Sequence, residues 1–517
     1  MKNLKFQSVF DIIGPVMVGP SSSHTAGAVR IGKIVSAIFG ETPTEVEFQL
    51  FNSFAKTYRG HGTDVALVAG ILGMETDDPD IPHALDIAYE KGIKVYWKIN
   101  KDSNAPHPNT TRITLRNDKK TISATGVSIG GGNIQVTELN GFAVNLKMNT
   151  PTLIIVHQDV PGMIALVTDI LSRYGINIAQ MTVTRENAGE KAIMIIEIDS
   201  HQCDEAVNKS LEFLIYIMST FSAKRGDCMF YTIEELVKQA DRDFQGNIAE
   251  LMIATEIELS GRDRSEILEL MTQNLEVMKQ SVQAGLSPEK SPTGLTGGDA
   301  AKLDAYIKRG KTLADSAVLG AARNAMAVNE SNAKMGLVCA TPTAGSAGCL
   351  PAVLTTAIEK LGLSQSQQLD FLFTAGAFGL VIANNASISG AEGGCQAEVG
   401  SASAMAAAAI TMAAGGTPFQ ASQAICFVLK NMLGLICDPV AGLVEVPCVK
   451  RNAMGASFAL VAADMALAGI TSAIPVDQVV DAMYQVGSAM PTAFRETAEG
   501  GLAATPKGKA LAKEIFG

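Results

Sequence analysis

Thr152-Leu153-Ile154-Ile155-Val156-His157 is a short apolar run without formal charge, and it reads as a buried strand. Asp159-Val160-Pro161-Gly162 follows. Pro161 suits the first turn of a helix that continues to about Tyr174 and stops at Gly175. Residues 178–184 and 191–198 then alternate as two strands around a turn at 186–189. Residues 203–213 have helical spacing, and 215–219 read as a last strand. The order βαββαβ predicts a ferredoxin-like unit over residues 151–222. The patterns on its two sides differ, so this unit divides the chain into three.

Residues 1–148 mix strands with glycine-rich turns. Val46-Glu47-Phe48-Gln49-Leu50 alternates as a strand should, 94–99 and 111–115 read as further strands, and 63–72 as a helix. An α+β domain is expected there. From residue 231 the pattern turns helical. Thr232-Ile233-Glu234-Glu235 has the form of a capping box, and 248–258 and 265–282 have helical periodicity with charged outer faces. Beyond Leu313 the helices lose charge and become Ala-rich, as helices surrounded by other helices do. The expected fold is multidomain: α+β over 1–148, ferredoxin-like over 151–222, and all-α over 231–517.

An apolar fraction of 47% against 18% charged residues is enough for several large cores. The net charge of −11, with Lys and Arg dispersed, offers no surface for nucleic acid. Eight cysteines behind a start that lacks the apolar core of a signal peptide point to a reducing cytoplasm. The stretches 335–358, 371–391 and 399–429 carry no formal charge and are long enough to span a bilayer. They are built from Ala, Gly, Ser and Thr and lack aromatic belts, so buried core is expected and no membrane span.

Three cysteines stand in unusual surroundings. Cys395 lies in Gly-Ala-Glu-Gly-Gly-Cys-Gln, Cys437 in Leu-Gly-Leu-Ile-Cys-Asp-Pro and Cys448 in Glu-Val-Pro-Cys-Val-Lys. Glycine and proline beside a thiol suggest a bent backbone that aims sulfur at a shared point. Three thiolates without a fourth would suit an iron–sulfur cluster with one iron open to substrate. None has Cys-x-x-Cys spacing, however, and a lone cysteine also serves as a small core residue. Cys339, Cys349 and Cys426, in apolar helical context, fit that second description.

All six histidines lie before residue 202, and most cysteines lie far beyond it. A site using both must form between the first and third segments. His24 stands in Ser21-Ser22-Ser23-His24-Thr25, ahead of a helix expected to start near Thr25, and hydroxyls at a helix start suit a carboxylate. His61, in Gly60-His61-Gly62-Thr63-Asp64, can reach a ligand without crowding and act as a base near neutral pH. His107, in Pro106-His107-Pro108-Asn109-Thr110, is a third candidate. Ser128-Ile129-Gly130-Gly131-Gly132 offers backbone N–H groups for an anion. Each also reads as an ordinary cap or turn. His83, His157 and His201 have no motif around them.

The middle unit resembles an ACT domain, through Asp159-x-Pro161-Gly162 and Gly175-Ile176-Asn177-Ile178. Such modules often bind amino acids, and many only dimerise, so a homodimer is expected. Nearly the whole chain resembles the iron–sulfur L-serine dehydratases (L-serine ammonia-lyases). The motifs around His24, His61, His107 and Ser128 look like the family's β part. Residues 291–299, 341–348 and 385–401 look like its α part. The two are fused here, joined near 222–232.

The resemblance implies a [4Fe–4S] cluster on Cys395, Cys437 and Cys448, and L-serine as substrate. It implies His61 as base, the Ser21–Thr25 loop with His24 as holder of the substrate carboxylate, and His107 as support for the site. Ser21, Ser22, Ser23, Thr25, Thr63, Asp64, Ser128, Gly130, Asn385 and Ser387 are then expected to contact substrate. Some relatives end in a cysteine that occupies the open iron, whereas this chain ends Lys513-Glu514-Ile515-Phe516-Gly517. Two other readings stay open. A pyridoxal-phosphate dehydratase needs a Schiff-base lysine, for which Lys334 is the nearest candidate. A non-catalytic amino-acid sensor would use the ACT unit alone.

Overall fold

The computed structural model describes residues 5–100, 105, 107–146, 151–185, 187, 189–198, 215–218 (backbone) and 230–516. Strand Glu45–Phe51 forms as its alternation dictates: Val46, Phe48 and Leu50 are buried and the residues between them are partly exposed. It belongs to a six-stranded sheet ordered Lys94–Asn100, Glu45–Phe51, Asn109–Arg116, Thr121–Gly130, Asn133–Leu139, Phe142–Leu146. The first two strands are parallel, and the rest pair antiparallel. Helices Gly27–Phe39 and Thr63–Ile71 share the core of this sheet. They cross so closely that a Cβ on Gly70 would stand 2.1 Å from the Val29 carbonyl oxygen. Only glycine fits there.

The middle unit is an antiparallel four-stranded sheet in which Thr152–Gln158 lies between Ile215–Met218 and Lys191–Ile198, with Ile178–Arg185 at the far edge. Leu153, Ile155, Met194 and Ile196 pack against Val167 and Leu171 of helix Met163–Arg173. Ile154, Ile193 and Ile195, on the opposite face, join the core of the N-terminal sheet. The second expected helix, 203–213, lies outside the described residues, as does His201.

From Ile233 onward the described residues are mainly helical. Ser401–Ala413 is buried from Ser401 to Thr411, because its alanines let neighbours approach from every side. No helix among the described residues is long and apolar enough to cross a membrane.

One connection runs against the order of the chain. Phe6, Val9, Ile12 and Ile13 lie in the core of the helical part, not of the α+β part. They fill space that Gly376 and Gly379 leave: a Cβ on Gly376 would stand 2.3 Å from Val9 Cγ2. Val16–Val18 then pairs antiparallel with Leu337–Cys339. Residues 5–18 therefore clamp the first part to the third, and the Ser21–His24 loop that follows emerges at their junction.

Candidate active site

Cys395, Cys437 and Cys448, none of them in a disulfide, meet at a small cavity of about 10 Å³. Ser21, His61, Glu398 and Glu496 also line it. Each cysteine is aimed by its backbone. Cys395 follows Gly394 at φ +73°, where a Cβ would stand 2.7 Å from Met490 Sδ and 2.9 Å from the Leu435 carbonyl oxygen. Cys437 is fixed on both sides: its N–H donates to the Phe494 carbonyl (2.8 Å), and its carbonyl accepts from the Glu496 N–H (2.9 Å). Cys448 is the first residue of helix Cys448–Leu467.

The three thiols share a crowded electrostatic space. A hydrogen bond from Cys437 lowers the Cys395 thiol to about 7, with burial opposing and Arg451 assisting. The same bond, together with burial, pushes Cys437 well above the ordinary range; burial and then the Cys395 charge do so for Cys448. Burial, Glu496 and Cys395 raise Glu398 well above a normal carboxyl, and burial and Cys395 lift Glu496 to about 8. No Lys or Arg lines the cavity; Arg451, paired with Asp438 at 2.9 Å, hydrogen-bonds Cys395 and is one cation against three thiols. All three thiols can ionise together only if a cation joins them, and soft sulfur donors suit a thiophilic metal. The ligand atoms of Cys395, Glu398 and Cys437 already lie within 4.8 Å of one another. Cys339 and Cys349, by contrast, are pushed up to about 12 by burial and behave as packing thiols.

His61 faces the same cavity. Its Nδ1 lies 3.2 Å from Thr57 Oγ1, and that hydroxyl donates to the Ser53 carbonyl at 2.9 Å. Thr57 can therefore only accept from the ring, which puts the proton of a neutral His61 on Nδ1. Nε2 is left as a lone pair, and it is buried without a hydrogen-bond partner among the described residues. Burial lowers the His61 pKa to about 3, so the ring is neutral at physiological pH. His24 lies against it, ring centroids 4.4 Å apart. Its Nδ1 is 2.9 Å from Ser23 Oγ and its Nε2 3.0 Å from Ser53 Oγ.

The structure brings Ser21 and His61 to the cavity of the three cysteines and sets His24 against His61 outside its lining, but it gives other expected residues different work. The helix expected near Thr25 begins as a wide π-type turn, Ser22–Ala26, and becomes α-helical at Gly27. Thr25 Oγ1 donates to the His61 carbonyl at 2.7 Å, so it braces the His61 backbone. His107 Nδ1 accepts from the Asn109 N–H, and its Nε2 faces Glu392 at 3.4 Å. Ser387 also donates to Glu392, at 2.6 Å. Asn385 spends its amide on the Tyr231 and Val381 carbonyls. Gly130 turns a hairpin against Ser389, and Ser128 lies beside Gly27. Asp64 accepts from the Val65 N–H, and neither it nor Ser22, Ser23, Thr63, Ser128, Gly130, His107, Asn385 or Ser387 is among the cavity's lining residues. Lys334 pairs with Glu289 at 4.0 Å and does not line it either.

Sequence reasoning missed Glu398, Glu496, Ser53 and Thr57. Glu398 stands three residues after Cys395, a spacing that returns a side chain to the same side of a helical turn. Glu496 has no comparable signal except the Gly500-Gly501 pair just beyond it.

The comparisons with known proteins agree with this partition. Residues 243–503 match the family model for the serine dehydratase alpha chain, and 8–138 that for the beta chain. Residues 153–219 match an AHAS small subunit-like ACT domain. A probable L-serine dehydratase alpha chain of Bacillus subtilis is 61% identical over 56% of this chain and 96% of its own length. The probable beta chain of the same organism is 46% identical over 40% of this chain and 93% of its own. An L-serine dehydratase of Streptomyces coelicolor is 32% identical over 96% of this chain and 98% of its own. The chain belongs to the serine dehydratase family, with alpha and beta parts in one polypeptide and an ACT unit between them.

Proposed function

We propose that this protein eliminates water from L-serine and releases pyruvate and ammonia. The observation that carries it is the unpartnered Nε2 of a neutral, buried His61 at the cavity that Cys395, Cys437 and Cys448 line. The three cysteines would hold a [4Fe–4S] cluster: their donor type and the need for a joining cation both fit one. When bound, such a cluster supplies a Lewis-acidic iron for the serine hydroxyl, otherwise a poor leaving group.

The chain's own residues do the rest. His61 Nε2 takes the Cα proton, and Thr57 holds the ring in the tautomer that leaves Nε2 free. His24, packed against His61 and outside the cavity lining, is a positioning residue. Ser21 Oγ, which accepts from the His24 N–H at 3.1 Å, turns a polar group toward the substrate carboxylate. Loss of hydroxide gives 2-aminoacrylate, which tautomerises and hydrolyses in water to pyruvate and ammonia. The test is an anaerobic assay of pyruvate from L-serine beside iron and sulfide analysis of the same sample. Pyruvate formation that rises with iron and sulfide content is expected. Turnover by iron-free protein would contradict the cluster, and no turnover by iron-replete protein would contradict the substrate.

A further inference from the structure

We propose that Glu496 binds the α-ammonium of the substrate and so makes the site selective for amino acids over hydroxy acids. The assignment rests on serine being the substrate. L-Serine brings a Cα–H, a hydroxyl, a carboxylate and an ammonium into the cavity. His61 answers the first, the cysteine side the second and Ser21 the third. The ammonium needs buried acceptors, and two carboxyls line the cavity.

Glu398 is already engaged through both oxygens: Oε1 accepts from Thr343 Oγ1 at 3.0 Å, and Oε2 lies 3.9 Å from Cys437 Sγ. Glu496 is not. Its Oε1 stands 3.7 Å from His24 Nδ1 and 3.9 Å from His61 Nε2, while Oε2 is buried with no hydrogen-bond partner among the described residues. A buried carboxyl oxygen without a partner is costly, and an ammonium placed against it brings N–H donors and a positive charge that favours the ionised carboxylate. No Lys or Arg lines the cavity to compete for it.

The backbone supports the same role. Glu496 sits at φ +59°, in the left-handed region that non-glycine residues seldom adopt. It is held there by the bond from its N–H to the Cys437 carbonyl. Strain kept at a cavity wall is a mark of a placed functional group. With Glu496 beside the base, the ammonium would be fixed next to the Cα–H that His61 removes.

The experiment uses anaerobically prepared Glu496→Gln, which keeps the side-chain volume and cannot ionise beside an ammonium. L-Serine binding is measured by calorimetry and turnover by pyruvate release. Competition is measured with 3-hydroxypropionate, which is serine without its amino group. The variant should keep iron content and visible absorbance. It should lose about 10²-fold in serine affinity, the order expected when one member of a buried charge pair is removed, while the inhibition constant of 3-hydroxypropionate stays unchanged. Glu496→Asp, which keeps the charge, should recover part of the serine affinity. Unchanged serine binding in Glu496→Gln, equal losses for the two ligands, or no recovery in Glu496→Asp each overturns the proposal. Wild-type protein that neither binds nor converts L-serine overturns the substrate assignment itself, and that outcome is visible without any variant.

Discussion

Thr57 Oγ1 lies 3.2 Å from His61 Nδ1 and donates its own proton to the Ser53 carbonyl, so the threonine fixes which nitrogen of the histidine is basic. Thr57→Val keeps the shape and removes the acceptor. We expect kcat to fall about 10- to 100-fold, the usual effect of losing a partner that orients a functional histidine. KM, iron content and absorbance should be unchanged. Thr57→Ser should restore most of the rate. Equal activity in Thr57→Val would show that the tautomer is set elsewhere.

The cysteines separate into two groups by surroundings. Cys395→Ser, Cys437→Ser and Cys448→Ser should each lose iron and visible absorbance. Cys339→Ser and Cys426→Ser, which lie in the helical core, should keep both. Anaerobic metal analysis of the five variants is the check. Full iron content in any of the first three would remove that cysteine from the ligand set.

Much of the fold was legible because its signals are local. Alternation in 45–51 and 191–198 announces strands whose two faces meet different partners, and the capping box at Thr232 starts helix Ile233–Asp243 as expected. The glycines and proline around Cys395 and Cys448 pointed to a bent backbone, and Gly394 is indeed crowded by Met490 and Leu435. What stayed illegible depends on tertiary placement. Phe6, Val9, Ile12 and Ile13 look like an ordinary N-terminal run but complete the helical core. Asn385 looks like a ligand, yet it satisfies carbonyls at a helix end. Glu496 reaches the two histidines only because Cys437 clamps its backbone from a distant part of the chain.

Buried neutral histidines leave a pH signature. His24 and His61 are both held below the ordinary 6.5, by burial first, His61 to about 3. Below about pH 6.5 the unfolded chain takes up protons that the folded site refuses, so their contribution to stability is full above 6.5 and is lost as pH falls toward 3. Glu398 and Glu496, raised by burial, act in the opposite sense, so the wild-type curve alone mixes both trends. The informative quantity is the difference between His61→Gln and wild-type apoprotein in denaturant titrations. Relative stability should shift toward the variant by about 1.4 kcal/mol for each unit below pH 6.5. A difference independent of pH would mean that His61 is not held neutral.

The central claim is that His61 removes the Cα proton at a site whose metal is held by the three cysteines. The most direct measurement compares wild-type and His61→Ala protein, prepared anaerobically side by side, for iron content, L-serine binding and pyruvate formation. We expect about four irons per chain and bound serine in both, with kcat lower by about 10²–10⁴-fold in the variant, the cost of losing a general base. Near wild-type turnover by an iron-replete His61→Ala enzyme would contradict the account.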